Sequence, residues 1–226
     1  MTLKREVLVR VLPFAVFILL LALRDPIGAW LGPDFDVRLV YPTKTVLVAV
    51  LILYLLREYV ELKPLPDDRR WLWLWAPLIG AVVFVLWINL DWGWLNLAAE
   101  GGFVYDPRDP HSGEIDWTLA VFRLAGSALL VPVMEELFWR SFLMRWIDRH
   151  DFLALSPALV SLKAILISSL VFGFEHTLWF AGILAGLAYA WLYRASGSLW
   201  PPIVAHAVTN GMLGVWVLHT GHWQFW

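Results

Sequence analysis

The sequence has no cysteine among its 226 residues. This excludes a disulfide bond, a zinc site built from thiolates and a cysteine nucleophile. Charge is also scarce, because only 16% of the residues are Asp, Glu, Lys or Arg and the formal net charge is -2. The few basic residues are dispersed, so the chain lacks the electrostatic footprint of a protein that binds nucleic acid. Internal repeats and low-complexity tracts are absent as well, which predicts one domain over residues 1–226.

Hydrophobic residues, in contrast, are abundant. They make up 60% of the chain, and the mean hydropathy is +0.68. Both values are too high for an ordinary soluble domain, so the composition predicts an integral membrane protein in contact with lipids. Most of the 16 tryptophans lie near the ends of apolar runs, as in an aromatic belt at the two membrane surfaces.

Seven apolar segments are predicted to be helices that cross the membrane. A hydrocarbon core of ~30 Å requires about 20 helical residues, which most of these segments approach or exceed. The predicted fold is therefore an all-α polytopic membrane protein with about seven, that is six to eight, transmembrane helices around a conical or bundle-like polar cavity. The segments are Val7–Leu23, Thr45–Leu62, Trp71–Leu90, Trp117–Asp148, Ser161–Phe174, Leu178–Tyr193 and Pro201–Leu218.

One segment, Trp117–Asp148, is too long to cross perpendicularly at about 1.5 Å per residue. Pro132 is expected to kink or divide it, because proline removes a backbone donor. Between the spans, the Pro-rich charged stretch Lys63–Arg70 is expected to be a connector, and Asp91–Asp116, which contains Gly101-Gly102, an extramembrane loop or lid. Leu178–Tyr193 carries Gly182 and Gly186, whose spacing favours close helix packing.

The basic residues predict how the chain is oriented. Nine fall on the side of the N-terminus: Lys4, Arg5, Arg57, Lys63, Arg69, Arg70, Arg145, Arg149 and Arg194. Four fall on the other side: Arg24, Arg38, Lys44 and Arg108. The positive-inside rule therefore predicts a cytoplasmic N-terminus. Four further cations lie within apolar segments: Arg10, Arg123, Lys163 and Arg140, the last of which belongs to a polar cluster described below. Arg10 is expected to reach the headgroups, and Arg123 and Lys163 to pair or do the same.

Three polar clusters interrupt the apolar spans: Glu135-Glu136 with Arg140, Phe172 with His176, and His206 with Asn210. An ionisable side chain at the centre of a membrane helix costs roughly 2.5–3.5 kcal/mol, so such clusters indicate a functional site. Glu136 and Arg140 are four residues apart and can pair on one helical face, whereas Glu135 points about 100° away. His206 and Asn210 also share one face.

These side chains suggest hydrolysis. A carboxylate in a low-dielectric site becomes a competent general base near neutral pH, and Glu135 with His176 fits that role. His206 and Asn210 can donate hydrogen bonds to a developing oxyanion. Three alternatives remain open: a zinc protease with Glu135, His176 and His206 as ligands, a membrane scaffold or immunity-type protein, and a proton-coupled transporter.

The ordered patterns Glu-Glu-x-x-x-Arg, Phe-x-x-x-His and His-x-x-x-Asn resemble the CPBP family of intramembrane proteases, which includes the type II CAAX prenyl endopeptidases. The resemblance covers a core of residues 117–218. It implies that Glu135 and His176 activate water and that His206 and Asn210 stabilise the oxyanion. Glu136 and Arg140 complete the first motif, and Phe172 opens the second. Trp139 and Ser141 depart from the residues that often flank the arginine in this family.

The resemblance further implies a membrane-anchored peptide or protein substrate that is cut near its C-terminus, without implying prenylation. No cofactor is expected, with zinc as the alternative. The stretch from Pro132 to Glu136 also resembles bacterial CAAX-protease-related proteins associated with exosortase systems, which suggests a bacterial inner membrane. The oligomeric state does not follow from the sequence. Glu175 lies outside the matched positions and is expected to be structural.

Overall fold

Apolar α-helices make up most of the chain, and the computed structural model describes residues 4–62, 69–97 and 104–226. In these ranges the helices are α1 (Arg5–Ala22), α2 (Arg24–Leu31), α3 (Val40–Leu55), α4 (Leu72–Asn89), α5 (Trp117–Ala125), α6 (Val131–Glu136), α7 (Arg145–Asp148), α8 (Leu162–Phe174), α9 (Trp179–Ser196) and α10 (Trp200–Thr220). No strand occurs in the described ranges, where the β pairing consists of one isolated bridge between Arg108 and Ile115. The predicted all-α fold is confirmed. Residues 63–68 of the predicted connector and Gly101-Gly102 of the predicted loop lie outside the described residues.

The helical runs that are long and apolar enough to cross a membrane are fewer, among the described residues, than the seven predicted. Four helical runs are long and apolar enough to cross a membrane: Val37–Glu58, Leu72–Asn89, Trp117–Asp148 and Trp200–Thr220. α1 and α2 qualify as a fifth when taken together, with a bend of 52° between them. Every predicted segment contains a helix, although Thr45–Leu62 is helical only to Glu58. By length and composition, the described residues support four or five spans. The predicted count of seven is therefore not confirmed.

α5, α6 and α7 are parts of one continuous helix, Trp117–Asp148, called the long helix below. The helix is not divided at Pro132, because a π-helical stretch, Gly126–Leu130, comes just before the proline. A π-helical turn rearranges the hydrogen bonds around a missing backbone donor, so the helix can continue. A second π-helical stretch, Leu137–Met144, follows directly. The two stretches flank the short α6, which ends in Glu135 and Glu136.

Glycines let the helices that carry the site approach one another closely. A side chain at Gly182 of α9 would lie 2.9 Å from the Cα of Gly173 in α8, and one at Gly186 would lie 3.0 Å from Ser169. The predicted close packing of this glycine pair is confirmed. Likewise, a Cβ atom at Gly80 of α4 would lie 2.3 Å from the backbone oxygen of Ala205 in α10. α4, α8, α9 and α10 are thereby held close together around the polar residues of α10 and of the turn after α8.

Arg10 does not reach the headgroups. It is 1% exposed and bonds Glu61 through two nitrogens, each 2.5 Å from a carboxylate oxygen. Glu61 also accepts a hydrogen bond from Ser141, and Arg145 Nη2 lies 3.6 Å from the same carboxylate. The snorkelling prediction is wrong because an acidic partner that is distant in sequence is nearby in the fold. This buried cluster connects α1 and the turn that follows the helical run Val37–Glu58 to the long helix.

Candidate active site

A cavity of about 510 Å³ lies within the helix bundle, and it is lined by Glu135, His176, His206 and Asn210. These residues come from the long helix, the turn after α8, and α10. Loop residues that follow α4 and α10 also line it, including Asp91, Asn96 and Gln224. The structure thus brings together the four residues that the sequence motifs single out, although up to 75 positions separate them in the chain.

The short length of α8 explains how His176 and Glu135 meet. By linear count, His176 follows the far end of its span, whereas Glu135 lies within the long helix. α8 has only 13 residues, and at about 1.5 Å per residue it extends ~20 Å, less than the ~30 Å hydrocarbon core. The turn after α8 therefore lies within the depth of the bundle, beside the cavity.

Glu136 and Arg140 form the ion pair that their spacing predicts. Arg140 Nε lies 3.2 Å from Glu136 Oε2, and both side chains are fully buried. The Arg140 guanidinium also lies 4.4 Å from the centre of the Phe172 ring, a favourable cation–π arrangement. Phe172 is thus a packing partner of the arginine, and two motifs that lie far apart in sequence meet at this contact.

A contact that the sequence does not reveal joins Glu136 to His206. Glu136 Oε1 lies 3.1 Å from His206 Nδ1, across 70 positions of the chain. Tyr189 of α9 stacks on the His206 ring at 4.9 Å and donates a hydrogen bond to Thr209 at 2.8 Å. The carboxylate and the tyrosine together fix the orientation of His206. Helical spacing could not have predicted either contact, since both depend on how separate helices pack.

The hydrogen bond of His176 determines which of its ring nitrogens is left to accept a proton or a hydrogen bond. His176 Nδ1 lies 2.8 Å from the backbone oxygen of Phe172. A carbonyl oxygen only accepts, so Nδ1 carries the proton and Nε2 of the neutral ring is left as an acceptor. Trp87 of α4 meets the ring edge-on at 5.3 Å and supports this orientation. In this tautomer His176 can accept a proton or hold a water molecule.

Asn210 has one amide hydrogen available to a ligand. Its Nδ2 donates to the backbone oxygen of Ser127 at 2.9 Å, which fixes the amide beside the long helix. An asparagine amide has two N–H donors, so the second one remains for another acceptor. Because Asn210 lines the cavity, that acceptor can be a substrate oxygen.

Glu135 differs from Glu136 in its surroundings. It is 6% exposed, and its Oε2 atom is buried without a hydrogen-bond partner among the described residues. Glu136 Oε2 has no hydrogen bond either, but Glu136 lies against Arg140 and His206, whereas no ion pair of Glu135 is found among the described residues. Buried polar groups are usually bonded, so a carboxylate without a partner beside a cavity is a candidate for binding a ligand or water. Glu175 lines the same cavity but is exposed to it. A structural role for Glu175 stays a prediction.

The zinc alternative requires three ligands close together. Within residues 4–62, 69–97 and 104–226, no group of three His, Cys, Asp or Glu side chains is arranged to hold a metal ion. A catalytic zinc site needs three protein ligands at about 2.0–2.2 Å from the ion. The zinc set Glu135, His176 and His206 and the expectation of no cofactor both stay predictions.

Comparison with known proteins gives one family match. Residues 117–212 match the family described as "Type II CAAX prenyl endopeptidase Rce1-like", which is somewhat less than half of the chain. The predicted resemblance to the CPBP family is confirmed over this stretch, whereas the exosortase-associated subgroup stays a prediction. No curated protein and no solved structure matches the chain. The matched stretch contains the Glu136–Arg140 pair and the four proposed catalytic residues, Glu135, His176, His206 and Asn210.

Proposed function

Because residues 117–212 match the Rce1-like endopeptidase family, we propose that the protein is an intramembrane endopeptidase of the glutamate type. It hydrolyses peptide bonds of membrane-associated peptides or proteins near their C-terminus. The observation that carries the proposal is the convergence of Glu135, His176, His206 and Asn210 on one cavity inside an apolar helix bundle.

Water is the nucleophile in this mechanism. Glu135 and His176 Nε2 accept hydrogen bonds from one water molecule, and Glu135 takes its proton as the oxygen attacks the peptide carbon. The carbonyl oxygen then becomes an oxyanion. When the tetrahedral intermediate collapses, the C–N bond breaks and Glu135 returns the proton to the departing nitrogen. The products are a carboxylate and an amine.

The oxyanion accepts hydrogen bonds from His206 and Asn210. His206 Nδ1 faces Glu136, so a donor toward the cavity must come from Nε2. A carboxylate oxygen only accepts, so Nδ1 donates to Glu136, and Nε2 donates to the oxyanion in the form of the ring that carries a proton on each nitrogen. Arg140 holds Glu136 in place from the other side. Glu136 is therefore a positioning residue that acts through His206, and it does not touch the substrate.

Replacing Asn210 by alanine tests the oxyanion site. We expect kcat to fall by about 10²–10³-fold, because one oxyanion donor contributes roughly 2.7–4 kcal/mol to stabilising the transition state. KM should change little, since the bond forms mainly in the transition state. The measurement is steady-state cleavage of a lipid-anchored peptide by purified protein. The Gly211→Ala variant is a matched control on the next position of α10, where a Cβ atom meets only Ala128 at 3.7 Å. A rise in KM at constant kcat would contradict the assignment.

The proposed orientation follows from the basic residues. With the N-terminus in the cytoplasm, the buried Arg10–Glu61 cluster lies near the cytoplasmic face. The loop residues that line the cavity then lie toward the opposite face of what we propose to be a bacterial inner membrane.

A scaffold or immunity-type protein would have no turnover, so a cell-free cleavage assay on peptides with and without a lipid anchor separates it from an enzyme.

A further inference from the structure

Two cations on the cavity wall have no acidic partner among the residues that the structure describes. Lys44 of α3 and Arg123 of α5 both line the cavity that holds Glu135. Lys44 is 2% exposed, and Arg123 is half-buried, with its Nε atom unbonded. In the described part of the chain, neither side chain lies within 4.0 Å of a carboxylate. For Arg123, the predicted pairing is therefore not found.

Aromatic rings hold these cations in place of carboxylates. Lys44 Nζ lies 3.8 Å from the centre of the Phe17 ring and 4.9 Å from that of Tyr41. The Arg123 guanidinium lies 4.4 Å from the centre of the same Tyr41 ring and 5.3 Å from that of Tyr105. Tyr41 thus contacts both cations, and all three residues line the same cavity.

The charges near Lys44 are also positive. Its electrostatic neighbours are Arg123 and Arg24, and Arg24 lies 3.5 Å from an acidic residue of its own, Asp25. Cation–π contacts offset only part of the cost of removing an ammonium group from water. A fully buried and a half-buried cation beside the same tyrosine ring, with no anion within 4.0 Å among the described residues, are unfavourable, and a bound anion would reduce that penalty. The arrangement therefore indicates an anionic ligand.

We propose that Lys44 and Arg123 bind the C-terminal carboxylate of the peptide substrate. This inference rests on the proposed function, because it assigns a substrate-binding role to a second region of the same cavity. A carboxylate matches a guanidinium and an ammonium in charge and in hydrogen-bond geometry. The cavity volume of about 510 Å³ falls in the range of pockets that enclose a small molecule, roughly 300–1,000 Å³, so it suits the short end of a chain.

The helix geometry relates this subsite to the position of cleavage. Arg123 precedes Glu135 by 12 positions on the long helix. At about 1.5 Å per residue, the two positions are ~18 Å apart along the helix axis. An extended peptide spans this distance with about five residues, at ~3.3–3.6 Å each, and the reach of the two side chains shortens the gap. The enzyme should therefore release a short C-terminal fragment of about three to five residues.

The test compares one lipid-anchored peptide in two forms, with a free C-terminal carboxylate and with a C-terminal amide. Binding is measured by fluorescence anisotropy to the Glu135→Gln protein in nanodiscs, so that no turnover is needed. We expect the acid form to bind roughly tenfold or more tightly than the amide. Lys44→Met and Arg123→Gln, each added to Glu135→Gln, should reduce this preference strongly. Arg108→Gln is the matched control, because it removes an exposed cation outside the cavity.

The outcomes separate the subsite from the proposed function. If wild-type protein cleaves nothing but the acid preference in binding depends on Lys44 and Arg123, the carboxylate site stands and the proposed function fails. If cleavage occurs but the acid and amide forms bind equally well, the carboxylate site is wrong. It is also wrong if Lys44→Met weakens both forms equally, or if it changes binding only to nanodiscs that contain an anionic lipid. A peptide with an internal Asp and a C-terminal amide should bind like the plain amide.

Discussion

Glu135→Gln is expected to lower kcat by about 10²–10⁴-fold, the range that general-base catalysis contributes. Glutamine has nearly the same shape as glutamate, but its amide cannot take a proton from water. The substitution replaces a carboxylate, whose buried Oε2 atom has no hydrogen bond among the described residues, by an amide of nearly the same size. It therefore removes the base and leaves the packing in place. The measurement is single-turnover cleavage of a lipid-anchored peptide, together with circular dichroism and a melting curve to show that the variant is folded.

Glu175→Gln is the matched control for this variant. Glu175 also lines the cavity, so the substitution removes one negative charge from the same region. If the loss of activity reflects the role of Glu135 as a base, Glu175→Gln should have a much smaller effect. Equal losses would mean that the overall charge of the cavity matters more than one base. Full turnover by folded Glu135→Gln protein would refute the assignment directly.

Glu61→Ala should cause the largest loss of stability. Glu61 is 4% exposed and is the carboxylate that faces both Arg10 and Arg145. Removing one partner of a buried ion pair costs about 3–5 kcal/mol, because the other charge is left uncompensated. Here two guanidinium groups lose their shared anion. We therefore expect a clear fall in melting temperature, measured by thermal unfolding of the purified protein in detergent.

Glu58→Ala is the control for Glu61→Ala. Glu58 pairs with Arg5 at 2.7 Å, but the Arg5 side chain is 75% exposed and that of Glu58 is 37% exposed. Exposed ion pairs contribute little to stability, so this variant should melt close to the wild type. Replacing Arg10, Glu61 and Arg145 together by apolar residues of similar size should recover much of the lost stability. Similar melting temperatures for Glu58→Ala and Glu61→Ala would show that the buried cluster does not stabilise the fold.

Local patterns in the sequence predict much of the fold and the composition of the site. Apolar runs locate the long helices, because a helix inside a membrane needs a nearly continuous apolar surface. They miss α2 (Arg24–Leu31), which lies outside every predicted segment. Polar residues in those runs are costly, so they identify Glu135, His176, His206 and Asn210 as site candidates. The ion pair between Glu136 and Arg140 also follows from the sequence, since i,i+4 neighbours lie on one helical face.

The contacts between distant segments do not follow from such patterns. The Glu136–His206 contact spans 70 positions and the Arg10–Glu61 pair spans 51, and both depend on how helices are arranged in space. The spacing in the sequence predicts that Glu136 pairs with Arg140 and predicts no other contact for it. The contact with His206 gives Glu136 a second partner, and in the proposed mechanism Glu136 therefore also positions an oxyanion donor. The count of spans is equally hard to predict, because short helices such as α8 and bent pairs such as α1 with α2 resemble full spans in sequence.

The central claim is that a glutamate and a histidine activate water without a metal ion. The most direct measurement is cleavage of a lipid-anchored peptide by purified, metal-analysed protein in nanodiscs, with and without a strong chelator, with the products identified by mass spectrometry. We predict that the chelator leaves the rate and the cleavage position unchanged. Activity that disappears with the chelator and returns with Zn²⁺ would contradict this mechanism in favour of a metalloprotease, and a complete absence of cleavage would contradict the proposed function itself.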